Sequence, residues 1–281
     1  MSEHTYRQSH HTSTTSAHAA RTAEVEAAFL LPHLEPDYRI LDIGCGPGSI
    51  TRGLARYVQD GHVTGIDLSK QVLIQAREGV STSGSGSNVT FELGNVLDGL
   101  SYPDGSFDVV YCNQTLLHIP DPIKALKEMR RVCKAGGMIA AREADMPFHW
   151  YPYNRGLQLW DRYLYSTIFG NEDGREHPMN LPHSKAYRGG SLLHVWAREA
   201  GFDPEKMQKG VGSQGYTTRQ QRDWFVDTYS KRLENEDTRR RMKDCGASEE
   251  DLTGMLRGLE AWGRDVDGWM SMLHGELIAR V

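Results

Sequence analysis

Residues 40–67 read ILDIGCGPGSITRGLARYVQDGHVTGID, and their pattern predicts the class of fold. An apolar run is followed by a loop with glycine at every second position from 44 to 48, then by a helical pattern, and then by a second apolar run that ends at Asp67. The predicted helix carries its apolar residues on one face, namely Ile50, Leu54, Ala55 and Val58. The stretch therefore predicts a strand, a glycine loop, a helix and a second strand, which together form the first repeat of an α/β fold.

Strand and helix patterns continue to alternate as far as residue 144. The predicted strands are 39–44, 62–68, 89–95, 106–114 and 136–144. The predicted helices between them are 49–58, 69–80 with Ser69 as its N-cap, and 121–133 with Pro122 near its start. Because strands that alternate with amphipathic helices pair in parallel, the sequence predicts a doubly wound, mostly parallel sheet.

The composition is that of a folded protein, with 38% hydrophobic and 25% charged residues in a chain of 281. The formal net charge of -5 argues against a nucleic-acid-binding protein, which normally presents a basic face. The four cysteines form no C-x-x-C pair, so they indicate neither a zinc site nor a disulfide scaffold and suit a reducing compartment. No apolar run is long enough to cross a bilayer, and the first residues lack the apolar core of a signal peptide. We expect a cytoplasmic protein, monomer or homodimer, with no membrane insertion.

The glycine loop is compatible with more than one class of ligand. A dinucleotide-binding fingerprint, G-x-G-x-x-G, would need glycine at position 49, which is Ser49. Pro47 also removes one backbone N–H from the loop, and a pyrophosphate cradle depends on such donors. Asp67 follows the glycines at a spacing that suits a ribose contact in either class. The pattern weakens the prediction of a nicotinamide oxidoreductase without excluding it.

The motif ILDIGCGPG at 40–48 resembles the first motif of class I S-adenosylmethionine-dependent methyltransferases. The resemblance continues in the same order through VTGIDLS, FELGNVLDGLSYPDGSFDVVYCNQTLLHIPD and RVCKAGGMIAAREAD, and it covers about half of the chain. Within this class the chain is most similar to the fungal branch of the UbiE-like enzymes. The resemblance implies a seven-stranded Rossmann-like sheet, S-adenosyl-L-methionine as cofactor and S-adenosyl-L-homocysteine as product.

The domain organisation follows from this resemblance and from a change in character after Asp145. Residues 146–170 are dense in aromatics, 191–202 read as a helix, 207–218 read as a strand, and the rest is mostly helical and charged. We therefore predict a single methyltransferase domain over 1–281. It would comprise a helical lead-in at 1–38, a cofactor-binding core at 39–145, and at 146–281 a helical cover with the last strands and the C-terminal helices.

The resemblance also assigns cofactor contacts to individual residues. Those expected at the methionine part are Asp42, Gly44, Cys45, Gly46, Asn113 and Gln114, with Arg21 at its carboxylate. Asp67 is expected at the ribose hydroxyls, and Leu68, Asn95 and Val96 at the adenine. Asn95 stands where the family often has an acidic residue. Structural alternatives are open for two of them, since Asp42 could tie down the loop and Asp67 could cap the following helix.

The acceptor is less closely defined than the cofactor. The resemblance to the fungal branch implies S-methylation of a small molecule, the reduced dithiol of gliotoxin-type epipolythiodiketopiperazines, in secondary metabolism. A thiol acceptor needs little help from a base, because its pKa is about 8.5. The alternatives are C- or O-methylation of a quinol, phenol or sterol-like metabolite, and a non-catalytic regulator that binds the cofactor.

Aromatic side chains after the fifth strand are expected to form part of the substrate pocket: Phe148, Trp150, Tyr151, Tyr153 and Trp160. The alternative is that these rings are core of the helical cover. His118 and Glu143 are the predicted catalytic residues, because each follows or ends a strand near the expected acceptor. We predict no metal, since the adjacent His10 and His11 would point apart on a helix or strand.

Overall fold

The computed structural model describes residues 18–83, 88–169 and 188–281. In this part of the chain seven strands form one sheet: β1 (Arg39–Ile43), β2 (His62–Asp67), β3 (Val89–Leu93), β4 (Phe107–Asn113), β5 (Cys133–Tyr151), β6 (Met207–Tyr216) and β7 (Trp269–Arg280). The helices are α1 (Ala23–Glu26), α2 (Ser49–Ala55), α3 (Lys70–Ser83), α4 (Pro122–Val132), α5 (Arg155–Phe169), α6 (Gly189–Glu199), α7 (Arg219–Glu234), α8 (Glu236–Asp244) and α9 (Glu249–Arg264). Single 3-10 turns occupy Leu31–His33, Leu116–His118 and Pro204–Lys206. No helix among the described residues is both long and apolar enough to cross a membrane.

The strands follow the order β3-β2-β1-β4-β5-β7-β6 across the sheet. The pairings from β3 to β5 are parallel. Ile40 of β1 lies opposite Val63 of β2 and Val109 of β4, and Val110 of β4 lies opposite Ile139 of β5. The strand order therefore reverses at β1, and ligands of such sheets bind beside the carboxyl ends of strands at this reversal. The predicted doubly wound, mostly parallel sheet is confirmed.

The described residues fall into two compact units. The sheet unit comprises 18–83, 88–144, 189–212 and 274–281. The helical unit comprises 145–169, 188 and 213–273.

Apolar side chains cover both faces of the strands in the sheet unit. Val110 of β4 joins one apolar cluster together with Leu126 of α4. Its neighbour Val109 joins a different cluster together with Leu54 of α2. This alternation arises because successive side chains of a strand point to opposite faces. Burial of each such side chain contributes about 1.5–3 kcal/mol, which explains why most of the central positions of β1, β2 and β4 are apolar.

The helix boundaries follow capping chemistry that the sequence indicates. Asp121 precedes α4, and its carboxylate accepts a hydrogen bond from the backbone N–H of Lys124 at 2.8 Å. Pro122 is the first residue of this helix, where its missing N–H costs no hydrogen bond. The hydroxyl of Ser69 accepts from the backbone N–H of Val72 at 3.3 Å at the start of α3. The predicted starts of both helices are confirmed.

The strand β7 departs from the sequence interpretation, which describes the residues after 218 as mostly helical. In β7 the polar His274 is fully buried, whereas Leu273 is 43% exposed. This is the inverse of the apolar-in, polar-out alternation by which a half-buried strand is recognised. Strand β5 also extends beyond its predicted end at residue 144, as far as Tyr151.

Aromatic rings form the interior of the helical unit. Trp150 lies edge-on to Trp262 and Phe225, with ring centroids 5.0 and 5.6 Å apart. The indole N–H of Trp150 donates to the buried carboxyl of Asp161 at 3.1 Å. Burial raises the pKa of Asp161 to about 7, and its hydrogen bonds with Trp150 and Tyr153 oppose that rise. Edge-to-face ring pairs of this kind add about 0.5–1.5 kcal/mol each to the energy of burial.

Candidate active site

The glycine loop after β1 contains three residues in the left-handed conformation, Gly44, Gly46 and Gly48, with φ of 71°, 53° and 73°. A side chain added at Gly44 would meet Oγ1 of Thr115 at 2.5 Å, and one at Gly48 would meet the ring of Phe91. A side chain added at Gly46 would meet no atom of the described residues within 4 Å. Gly46 is therefore the point at which another molecule can approach the loop backbone closely.

Asp67, at the end of β2, holds this loop in place. One carboxylate oxygen accepts the backbone N–H of Gly46 at 3.0 Å, and the other accepts the N–H of Ser69 at 2.9 Å. The tie to the following helix that the sequence allows for Asp67 is therefore present. The carboxylate is half-buried and has further lone pairs, so these two bonds leave room for the expected ribose hydroxyls.

The side chain of Asp42 lies in the interior of the sheet unit. Its carboxyl accepts a hydrogen bond from the hydroxyl of Thr51 in α2 at 2.6 Å. Burial raises its pKa to about 7, the bond from Thr51 opposes the rise, and the charge of Asp67 adds to it. These contacts agree with the alternative to a cofactor contact, a structural role in which Asp42 ties β1 to the helix after the loop. Its contact with the methionine part of the cofactor stays a prediction.

The residues expected near the adenine and along the loop differ in what their side chains contact. Leu68 is 51% exposed. Cys45 and Val96 are buried among apolar side chains. The amide of Asn95 makes its hydrogen bonds within its own turn, residues 95–98. Cofactor contacts by Cys45, Asn95 and Val96 would therefore come from their backbone or the edge of the side chain, and these contacts stay predictions.

Asn113, the last residue of β4, carries a buried amide that is only 7% exposed. Neither its side-chain oxygen nor its nitrogen has a hydrogen-bond partner among the described residues. Each buried polar group left in this way costs about 1–3 kcal/mol. A bound molecule that offers both a donor and an acceptor would remove that cost, so Asn113 has the chemistry of a ligand contact.

Gln114 and Arg21 meet although they are far apart in the sequence. Gln114 has a φ of 49°, a left-handed conformation that is uncommon outside glycine, and its N–H donates to the carbonyl of Arg142 at 2.7 Å. The guanidinium of Arg21 donates to the side-chain oxygen of Gln114 at 2.9 Å. The side-chain nitrogen of Gln114 lies 3.1 Å from Nε2 of His274. Arg21 and Gln114, which are both predicted to contact the cofactor, are thus hydrogen-bonded to each other.

Beside this contact lies a buried ionic group centred on Arg142, which is 1% exposed. Its guanidinium pairs with Glu26 of α1 and with Glu276 of β7, the latter at 3.2 Å. The hydroxyl of Tyr111 donates to the backbone carbonyl of Glu26 at 3.0 Å. Three distant segments of the chain are therefore joined at Arg142, in the middle of β5.

Glu143, a predicted catalytic residue, is fully buried and bonded to the backbone. Its carboxylate accepts the N–H groups of Thr115, Leu116 and Leu117 at 2.9, 2.7 and 3.3 Å. Burial raises its pKa to about 7, and these three hydrogen bonds oppose the rise. The contacts favour a role in fixing the loop after β4 over a role as a base. His118 ends the 3-10 turn of the same loop and is half-buried, and its catalytic role stays a prediction.

The five aromatic residues expected at the substrate pocket divide into two groups. Trp150 and Trp160 are 9% and 0% exposed and pack in the interior of the helical unit, as the core alternative expects. Tyr151 and Tyr153 are 61% and 49% exposed, and Phe148 is half-buried. A substrate contact thus stays a prediction that suits the second group better.

Sequence reasoning missed the charged and polar residues that are linked to Gln114 by hydrogen bonds and ion pairs, directly or through Arg142: Glu26, Arg142, His274 and Glu276. A signal for Arg142 exists, because a charge inside the apolar run MIAAREA requires a buried partner. Glu26 lies among apolar residues in AEVEAAF and carries the same signal. The sequence does not show which acid pairs with which base.

Comparison with known proteins identifies the family. A sequence profile of a methyltransferase domain matches residues 34–182, more than half of the chain. The probable methyltransferase ltbC of Aspergillus luteorubrus is 34% identical over 98% of this chain and 96% of that protein. The chain belongs to the class I S-adenosylmethionine-dependent methyltransferases.

Two further proteins resemble this methyltransferase over smaller shares. The demethylmenaquinone methyltransferase of Symbiobacterium thermophilum is 36% identical over 41% of this chain and 46% of that enzyme. The structure of phosphoethanolamine N-methyltransferase 2 of Haemonchus contortus in complex with S-adenosyl-L-methionine matches with a TM-score of 0.51 and 18% identity. That match covers 88% of this chain and 49% of the other, and it shows a shared fold.

The residues of this methyltransferase fit its cofactor by their own chemistry. The unhindered backbone at Gly46, the unpartnered amide of Asn113 and the carboxylate of Asp67 lie at or directly after the carboxyl ends of three adjacent strands of the sheet, β1, β4 and β2. Among the described residues no group of three or more His, Cys, Asp or Glu side chains is placed to hold a metal ion. His10 and His11 lie outside the described residues.

Proposed function

We propose that this methyltransferase acts on a small-molecule thiol and most specifically S-methylates the reduced dithiol of a gliotoxin-type metabolite. The cofactor supplies a methyl group on a positively charged sulfur. With the cofactor bound, transfer of the methyl group to the acceptor sulfur would break the bond from the methyl carbon to the sulfonium and leave that electron pair on the sulfur of S-adenosyl-L-homocysteine. The proton of the thiol leaves to water or to His118.

The observation that carries this proposal is the burial of Glu143 and the hydrogen bonding of its carboxylate. A base is needed only when the acceptor must lose a proton that it holds tightly. The carboxylate of Glu143 is buried and bonded to three backbone N–H groups, so it is poorly suited to take that proton. A thiol, with a pKa of about 8.5, needs the least assistance among the acceptors considered.

In this proposal the residues of the chain bind and orient rather than react. Asp67 accepts the ribose hydroxyls, the backbone at Gly46 lies against the cofactor, and the amide of Asn113 contacts its amino-acid part. Arg21 binds the carboxylate, for which the planar guanidinium is suited. The exposed Tyr151 and Tyr153 contact the acceptor.

A second candidate is methylation of a ring carbon. Its support is the similarity to a protein named for the methylation of demethylmenaquinone. An acceptor of this kind holds its proton more tightly than a thiol, and His118 would then be required as the base. The third candidate is not an enzyme: it is a regulator that binds the cofactor without transferring its methyl group.

The test is mass spectrometry of the products formed with S-adenosyl-L-methionine and a mixed panel of reduced epidithiol metabolites, simple thiols, phenols and a quinol. We expect mass gains of one or two methyl groups on the dithiols alone. Methylation of the quinol or phenol alone would replace the thiol proposal by the second candidate. Cofactor binding without any product would favour the regulator.

The variant Asp67→Ala tests the proposed contact between Asp67 and the ribose of the cofactor. It should weaken binding of S-adenosyl-L-homocysteine by about tenfold or more, since hydrogen bonds to a charged group are worth about 1.5–3 kcal/mol. Calorimetric titration measures the affinity, and circular dichroism checks that the fold is kept. Unchanged affinity would contradict the ribose assignment.

A further inference from the structure

A chain of hydrogen bonds runs through the sheet unit from Arg21 to His274. The guanidinium of Arg21 donates to Oε1 of Gln114 at 2.9 Å, and Nε2 of Gln114 lies 3.1 Å from Nε2 of His274. Gln114 directly follows the buried Asn113 at the carboxyl end of β4, the edge at which this fold binds its cofactor. His274 lies on β7 and is assigned no role by the sequence motifs.

The chemistry of these three side chains fixes the direction of both hydrogen bonds. An arginine can only donate, so the oxygen of the Gln114 amide must face Arg21. The nitrogen of that amide then faces His274, and because an amide nitrogen only donates, Nε2 of His274 must accept. The ring is therefore neutral, with its proton on Nδ1.

The surroundings keep the histidine in that state. His274 is fully buried, and burial together with the charges of Arg142 and Arg21 lowers its pKa to about 2. Its Nδ1 has no hydrogen-bond partner among the described residues. A buried donor without a partner costs about 1–3 kcal/mol, a cost that an apolar residue would avoid. The presence of histidine here therefore calls for a role that compensates for it.

We propose that His274 is a positioning residue for the carboxylate of the methyl donor. By accepting from Gln114, it holds the amide oxygen toward Arg21 and so sets the direction of the guanidinium. The inference rests on the proposed function, in which Arg21 binds that carboxylate. The left-handed φ of 49° at Gln114 fits this role, because such a conformation persists only where surrounding contacts hold it.

Two substitutions of His274 distinguish this positioning role from a merely structural role. In His274→Gln the side-chain oxygen reaches about as far as Nε2 and can still accept from Gln114, whereas the shorter side chain of His274→Asn ends near the position of Nδ1. Two ligands complete the design. S-Adenosyl-L-homocysteine carries the carboxylate, and 5′-methylthioadenosine has the same adenine and ribose without the amino-acid part.

The measurement is the Kd of each ligand for the wild type, the two His274 variants and Asp67→Ala by calorimetry. For His274→Asn we expect about tenfold weaker binding of S-adenosyl-L-homocysteine, the effect of one lost hydrogen bond linked to a charge, with little change for 5′-methylthioadenosine. His274→Gln should keep most of the wild-type affinity for both ligands. Asp67→Ala should weaken both, because both carry the ribose.

The ratio of the two Kd values in each variant controls for partial unfolding, since an unfolded fraction weakens the apparent binding of both ligands alike. Equal losses for the two ligands in His274→Asn would show a merely structural role and overturn the inference. So would unchanged affinities, or a His274→Gln variant that behaves like His274→Asn. A wild-type protein that binds neither ligand would overturn the proposed function itself, and the inference with it.

Discussion

Asp42 couples the stability of this methyltransferase to pH through a single carboxyl group. In the folded chain its pKa is raised to about 7 by burial, whereas an unfolded chain gives aspartate about 3.9. The folded state therefore holds the proton more tightly than the unfolded state. The resulting stability is fully present below about pH 4 and is lost as the pH rises through about 7, to a total of at most about 4 kcal/mol.

Asp42→Asn should remove this part of the pH dependence, because the amide keeps the shape and does not ionise. Urea unfolding at about pH 5 and about pH 8 measures it, and the wild type should lose more free energy of unfolding between the two than the variant. Thr51→Val is the control, since it removes the hydrogen bond and keeps the carboxyl, and it should retain the slope. Equal slopes for the wild type and Asp42→Asn would contradict the prediction.

At the scale of residues, the sequence predicts what depends on local pattern. Asp67 ends its strand at a spacing from the glycines that brings it to the loop, and its hydrogen bond to Gly46 is found. Glu143 could be predicted to lie near the site but not to bond three backbone N–H groups, because that depends on the path of the loop at 115–117. His274 could not be predicted, since its partner Gln114 lies 160 residues away, directly after β4, and no motif includes His274.

At the scale of elements, the glycine loop offers a matched pair of substitutions. Gly44→Ala and Gly46→Ala both force a left-handed alanine, at a cost of about 1–2 kcal/mol. The new methyl group at position 44 meets Thr115, whereas at position 46 it enters open space. We expect Gly44→Ala to lower the melting temperature more, and Gly46→Ala to weaken cofactor binding out of proportion to its effect on stability.

Thermal unfolding and calorimetric titration of both variants check this expectation. Loss of affinity that only follows the loss of stability in both variants would mean that Gly46 is not where the cofactor approaches. A Gly46→Ala variant that is less stable than Gly44→Ala would contradict the steric part of the argument.

The strands were predictable to different degrees for a physical reason. β1, β2, β4 and residues 138–144 of β5 are largely buried on both faces, and the sequence shows them as mostly apolar runs. β7 buries a histidine and exposes a leucine, so its pattern does not show its faces. Its place between β5 and β6 follows from contacts made across the fold and not from any local signal.

At the scale of the molecule, Arg142 connects segments that are distant in the chain. Arg142→Met should destabilise the protein by about 3–5 kcal/mol, because it leaves Glu26 buried without a partner. Urea unfolding measures the loss. The double variant Arg142→Met/Glu26→Gln is the control and should recover part of it, since a neutral amide is less costly to bury than a charge. A double variant no more stable than the single one would contradict this account.

The connection between distant segments also has a consequence for how the protein is made. The ribosome synthesises Arg21, Glu26 and the glycine loop early, whereas it adds His274 and Glu276 only near the end of the described chain. Until then Arg142 has half of its acidic partners and Gln114 lacks its acceptor. If His274 positions the donor as proposed, a polypeptide that ends between residues 145 and 273 would carry every recognisable methyltransferase motif and still hold the donor poorly. Incomplete translation products would thus not withdraw S-adenosylmethionine from the cell.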